Sequence, residues 1–222
     1  MKTRDKISVC LNFLIAVLVV GCTVWMMSGI KGPLADRGAA ALKFFTVDSN
    51  ILMGITAVIA AVLKIKRKGE LPRWALALYL VAAASVMLTF TVVALLLSPF
   101  VPSGYFSLFT KYNFFFHFFI PVLGAVDFIF FEDGRKLRFR ACFLAIIAVA
   151  LYGVYYIVPL MVTAAPDGTV NAARDWYMFF RLGTKMLVPV ILLISGMDFA
   201  GSVLLRLFSR LRAAATAKRE AE

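Results

Sequence analysis

Apolar residues in this chain come in runs of about 20, at 7–27, 42–63, 74–97, 113–131, 141–162 and 183–207. Each run is long enough to cross a hydrocarbon core about 30 Å thick as a helix. Between them lie stretches marked by Gly, Pro or charge, at 29–33, 64–72, 99–104, 132–140 and 166–175. No internal repeat and no low-complexity segment interrupts this pattern. It predicts an all-α polytopic membrane protein, with a single domain of six transmembrane helices over residues 1–222.

Composition agrees and excludes a soluble catalytic domain. Hydrophobic types make up 62% of the 222 residues and charged types 16%, with a mean hydropathy of +0.90, whereas soluble domains are about half apolar and a quarter charged. The net charge of +12 would suggest nucleic acid in a soluble protein; here its placement gives another reading. Most basic residues fall on one side, in 2–6, 64–73, 135–140 and 206–219, while the other side holds Lys31, Arg37, Lys43, Lys111 and Arg174, with Arg181 and Lys185 heading the last helix. The positive-inside rule then puts both termini in the cytoplasm, beside anionic lipid headgroups, and leaves no charge that needs nucleic acid. Cys10, Cys22 and Cys142 sit in apolar runs without ligand spacing and read as packing residues. A basic start leading to Val19-Val20-Gly21-Cys22 is similar to a lipoprotein signal cleaved before Cys22, but the run 7–27 has the length of a retained span.

Polar residues at membrane depth cost about 3 kcal/mol each when ionisable and unpaired, so each is a candidate for function. They are Thr46, Asp48, Ser49 and Asn50 in the second helix, His117 and Asp127 in the fourth, and Arg181, Lys185 and Asp198 in the sixth. At about 1.5 Å per residue, Thr46 and His117 both lie roughly one turn below the outer surface and can meet if their helices are neighbours. Thr46, Ser49, Asn50 and Met53 share one stripe, and Asp48 points away from it. Asp127 and Asp198 fall near the cytoplasmic ends, within reach of the basic rows, and read as structural polar residues. Asp127 lies about 15 Å along the helix from His117, which excludes a triad within that helix.

A threonine hydroxyl becomes a nucleophile when a base takes its proton, and neutral imidazole is the usual base near pH 7. Thr46 and His117 are therefore a candidate catalytic pair. Asn50, Arg181, Lys185 or a backbone N–H freed near Pro121 are candidates to stabilise an oxyanion. The same residues are also compatible with helix-packing hydrogen bonds.

The stretch Leu42-Lys43-Phe44-Phe45-Thr46-Val47-Asp48-Ser49-Asn50, the spacing His117, Pro121, Asp127, the ending Tyr156-Ile157-Val158-Pro159 and the late acid Asp198 together resemble the androgen-induced membrane proteins and their bacterial Pr6Pr-type relatives. The resemblance covers most of the chain. It implies an intramembrane threonine hydrolase that cleaves fatty acid esters of hydroxy fatty acids in a bacterial cytoplasmic membrane. By the same likeness Thr46 is the nucleophile and His117 its base. The chain departs from the animal proteins in carrying Asp rather than Glu at 127 and in its setting after Thr46. Tyr152, Tyr155 and Tyr156, on one face of the fifth helix, are expected to hold the acyl chain of the substrate. No ligand cluster or Gly-rich phosphate loop implies a metal or nucleotide cofactor. Two other classes remain compatible with the residues: a small-solute transporter using Asp48, Arg181 and Lys185, and a non-enzymatic membrane scaffold.

Overall fold

The computed structural model describes residues 1–28 and 38–221. Among these there is no strand, and six helices are long and apolar enough to cross a membrane. They are α1 (Thr3–Met27), α2 (Phe45–Lys66), α3 (Arg73–Phe100), α4 (Tyr112–Phe131), α5 (Phe139–Val162) and α6 (Thr184–Arg219). The protein is thus an all-α, multi-pass integral membrane protein. Two boundaries differ from the hydropathy reading. Residues 42 and 43 belong to a 3-10 turn, Gly38–Lys43, that precedes α2. The α6 helix continues well past residue 207, because Ala213, Ala214 and Ala215 with flanking Arg and Lys favour helix without needing lipid. The expected connection at 29–33, with Lys31 and Arg37, lies outside the described residues. Six crossings return the chain to the end where it began, here called the terminal end.

The centre of the bundle is α3, which packs against α2, α4, α5 and α6. Its small residues Ala82, Ala83 and Ala84 have no exposed surface, and small side chains let neighbouring helices approach, which supplies the packing that holds helices together in lipid. On the flank, α1 crosses α2 at Gly54, where an added Cβ would lie 2.8 Å from Val19 Cγ1. Exposed apolar residues such as Val17, Ile147, Leu151 and Leu192 form the outer belt.

The terminal end is held by buried charge. Asp127 is fully buried and accepts hydrogen bonds from Ser8 Oγ (2.6 Å), Asn12 Nδ2 (2.8 Å) and Tyr79 OH (2.6 Å). Lys64, also buried, donates to Ser8 and pairs with Glu132. Side chains from α1 and α3 therefore meet the Asp127 carboxylate of α4, and Lys64 of α2 joins them through Ser8. The donors to Asp127 are two hydroxyls and an amide and not the basic rows. Burial pushes the Glu132 carboxyl above its usual range, with Lys64 opposing that rise.

The α6 extension closes the same end. Arg212 donates to Ile129 O (3.1 Å) and to Glu132 O, and Ser209 Oγ donates to Glu132 O (2.8 Å). These are carbonyls that the last turn of α4 leaves without helical partners. Arg206 donates twice to Leu137 O, at 3.0 and 2.7 Å. Replacing Lys64 by Met should strand the Glu132 carboxylate and lower stability by about 3–5 kcal/mol. The double variant Lys64→Met/Glu132→Gln should recover much of that loss. Thermal unfolding in detergent, followed by size exclusion, measures both, and equal midpoints for Lys64→Met and the parent would remove the network from the account.

Candidate active site

At the end of the bundle away from the termini, two prolines shape the helices. In α4, Phe115–Phe119 forms a π turn, in which each N–H reaches back five residues. Pro121 has no N–H, so Phe116 O, five residues before it, loses its partner. Asn50 Nδ2 supplies one at 3.1 Å. In α3 the same event occurs at the π turn Val93–Leu97: Pro99 leaves Ala94 O free, and Tyr105 OH donates to it at 3.0 Å.

Thr46 stands in the first turn of α2, whose cap residue Phe44 offers no side-chain hydrogen bond. The first amide, Phe45 N–H, instead donates to Tyr177 OH at 2.8 Å. Val47 and Asp48 N–H bond to Phe44 O. The N–H of Thr46 has no partner among the described residues, so an orphan donor at a helix N-terminus lies beside the Thr46 hydroxyl.

His117 is buried on α4, with Nδ1 2.6 Å from Leu108 O. A carbonyl oxygen only accepts, so Nδ1 carries the proton, and in the neutral ring Nε2 is left with its lone pair. Phe109 meets the ring edge-on, with centroids 6.2 Å apart. Thr46 and His117 line one small cavity of about 40 Å³, with Asn113, Tyr112 and Tyr177. They are not hydrogen-bonded to each other. The space is on the scale of a water molecule or a carbonyl group.

Thr46 also lines a second cavity of about 350 Å³, bounded by Leu88, Val92, Val149, Tyr152, Tyr156, Phe179 and Ile194 among others. Val93, Leu97 and Tyr177 border both cavities. Val154, Val158 and Ile191 lie on the rim of the large one and are themselves exposed on the lipid-facing surface. The large cavity therefore opens sideways between α5 and α6, and its walls are almost wholly apolar.

The segment 166–183 covers this end. Asp175, buried and without a basic partner among the described residues, accepts from Tyr156 OH, Phe179 N (3.1 Å) and Phe180 N (2.9 Å). Trp176 Nε1 donates to Tyr152 OH (3.1 Å), which in turn donates to Lys43 O (2.7 Å). Burial pushes the Tyr177 hydroxyl well above its ordinary range, so it stays a neutral hydrogen-bonding group. The segment is pinched shut where Thr184 N–H donates to Gly168 O (2.9 Å). There Gly183, at φ +84°, leaves no room for a Cβ, which would fall 2.6 Å from that oxygen.

Several expected residues are displaced from the roles read in the sequence. Asn50 is near Thr46, but both its amide hydrogens are spent, on Phe116 O and on Thr46 O (2.7 Å), so it cannot serve an oxyanion. Arg181 and Lys185 are exposed and line neither cavity. The aromatic residues of 176–180 take the inward positions that these two were expected to fill. Tyr152 and Tyr156 line the large cavity, whereas Tyr155 is exposed on the outer face. Asp48 points away from Thr46 into a groove on the opposite face. Asp198 is fully buried with neither oxygen hydrogen-bonded, and it makes no ion pair with the basic rows among the described residues; Arg206, two turns on, is engaged with Leu137 O. Asp175 and Tyr177 escaped the sequence reading, since an acid in a loop carries no depth signal; the run Asp175-Trp176-Tyr177 followed by Phe179-Phe180 was the available clue.

Comparisons with protein-family models, with curated proteins and with solved structures return no match to this chain. Asp175→Ala should free the covering segment at a cost of about 3 kcal/mol, the scale of lost hydrogen bonds to a charged group. Limited proteolysis after residue 166 and the thermal midpoint measure it together; unchanged cleavage would mean that Asp175 does not hold the cover.

Proposed function

We propose that this protein is an intramembrane lipid ester hydrolase, with Thr46 as nucleophile and His117 as general base. The observation that carries the reading is the position of Thr46. It borders an apolar, laterally open cavity on one side and, on the other, a small pocket lined by a histidine whose Nε2 makes no hydrogen bond.

In this mechanism a lipid enters between α5 and α6 and lays its acyl chain along Tyr152, Tyr156 and Ile194. His117 Nε2 takes the Thr46 proton as Oγ1 attacks the ester carbonyl, with Leu108 O holding the ring by Nδ1–H. The developing oxyanion is met by the unpartnered N–H of Thr46 at the positive end of α2. His117 then returns the proton to the leaving alcohol oxygen. A water activated by the same Nε2 hydrolyses the acyl-threonine, restoring Oγ1–H and releasing a fatty acid.

The resemblance to the androgen-induced membrane proteins and their Pr6Pr-type relatives points to esters of hydroxy fatty acids as the substrate, and to a bacterial cytoplasmic membrane with both termini inside. The basic residues clustered at the terminal end support that orientation.

Purified protein in detergent should be labelled by a fluorophosphonate probe, and Thr46→Ala should abolish labelling while Thr46→Ser keeps it. His117→Ala should slow labelling by about 100-fold or more. Each variant should stay monodisperse. Intact protein that resists both the fluorophosphonate and a lactone probe would overturn the hydrolase reading and favour a transporter or a scaffold.

A further inference from the structure

The face of α2 opposite Thr46 carries a second site that the hydrolase reading does not use. Phe45, Asp48, Ser49, Leu52, Ser85, Ala148, Leu151, Tyr152 and Tyr155 enclose a groove of about 310 Å³ between α2, α3 and α5. Leu151 and Tyr155 are exposed at 70% and 55%, so it opens sideways to lipid. Asp48 forms no side-chain hydrogen bond or ion pair among the described residues, and it lies in the first turn of α2. Deeper in the groove Ser85 Oγ is fully buried with no hydrogen-bond partner. A carboxylate without a cation and a hydroxyl without a partner thus share one wall.

The donor set decides the ligand. A hard metal cation such as calcium collects six or more oxygens. Here the polar groups are one carboxylate, two serine hydroxyls and two phenols, of which Ser49 Oγ is already engaged with Thr89 (3.0 Å) and Tyr152 OH with Lys43 O. The other surfaces are aromatic rings and aliphatic side chains. An alkylammonium needs one counter-charge and ring faces, since the quadrupole of an aromatic ring attracts a cation. Asp48 supplies the charge, Phe45, Tyr152 and Tyr155 supply the rings, and Leu52, Ala148 and Leu151 offer a track for hydrocarbon.

We propose that this groove binds a phospholipid bearing an ammonium headgroup, ethanolamine or choline, with the ammonium against Asp48 and one acyl chain along Leu52 and Leu151. This site does not depend on catalysis at Thr46. Phe45 and Tyr152 form a wall common to groove and apolar cavity, so an occupied groove would steady the side of the cavity on which an acyl chain lies.

Native mass spectrometry of the full chain in a neutral glycoside detergent tests this with dioleoyl lipids of identical tails. Phosphatidylethanolamine and phosphatidylcholine should remain bound at concentrations about tenfold lower than phosphatidylglycerol. Asp48→Asn, which keeps the shape of a side chain that bonds to nothing, should erase that preference without moving the thermal midpoint. Tyr155→Leu, on the exposed rim, should weaken it several-fold and serves as the second variant if Asp48→Asn unfolds. Equal retention of all three lipids, or a preference intact in both variants, would overturn the proposal. So would displacement of the lipid by free ethanolamine at equal concentration, which would mark a site for a soluble amine. Probe labelling at Thr46 is read separately, so either proposal can fail without the other.

Discussion

Backbone groups in hydrocarbon have no water to fall back on, and each unsatisfied one costs several kcal/mol. Much of the end of the bundle away from the termini follows from that constraint acting on two carbonyls. Pro99 and Pro121 each lie five residues after a carbonyl in a π turn, and each removes the N–H that would have satisfied it. Ala94 O is recovered by Tyr105, which draws the 101–111 connection down onto α3; Phe116 O is recovered by Asn50, which fixes α2 against α4. The consequences reach the chemistry. Once the connection is docked, Leu108 O is in place to hold the His117 ring, and once α2 is docked, Thr46 faces the same small cavity.

The two ends of the molecule spend polar groups in opposite ways. At the terminal end the Asp127 carboxylate accepts three hydrogen bonds, and α1, α3 and α4 converge on it, with Lys64 of α2 joined through Ser8. That arrangement is rigid because removing any one member leaves another buried and unpaired. At the other end the pairing is incomplete. The buried Asn50 Oδ1 and Ser85 hydroxyl are without hydrogen-bond partners among the described residues, and neither the Thr46 N–H nor the exposed Asp48 carboxylate makes a hydrogen bond there. Unpaired donors and acceptors beside cavities are what a ligand can use, whereas the same atoms in a closed core would only destabilise it.

The six spans were legible because hydropathy over 20 residues measures the physical quantity that the bilayer selects, and the helix ends fell within a few residues of the runs. The α6 extension was hidden from that measure, since helix propensity and not hydropathy carries it past residue 207. At the candidate site the sequence placed Thr46 and His117 at one depth, and the structure puts both on one cavity. It could not assign their supports. The oxyanion candidates were chosen by charge and depth, which favoured Arg181 and Lys185; backbone geometry instead leaves the amide of Thr46 itself. The orienting partner of His117 is a carbonyl, and carbonyls have no sequence signature. For Asp127, depth predicted a structural role, but only the fold could name Ser8 and Asn12, more than a hundred positions away.

A scaffold needs its buried polar residues to bond to one another, and the Asp127 carboxylate, with three donors, is bonded in that way. The arrangement around Thr46 departs from that standard in a particular direction. Asn50 spends both amide hydrogens on carbonyls and leaves the neighbouring hydroxyl alone; Leu108 fixes one nitrogen of His117 and leaves the other. The groups left over are a hydroxyl, a lone pair and an amide hydrogen, the three that acyl transfer requires, and they stand where a lipid-sized apolar cavity meets a water-sized one. The hydrolase proposed above gives a reason for that selection: a hydrogen bond between Thr46 and His117, which the structure does not make, would engage two of the three. Keeping that bond unmade has a cost in stability, and a reacting ester in the gap is what would use it.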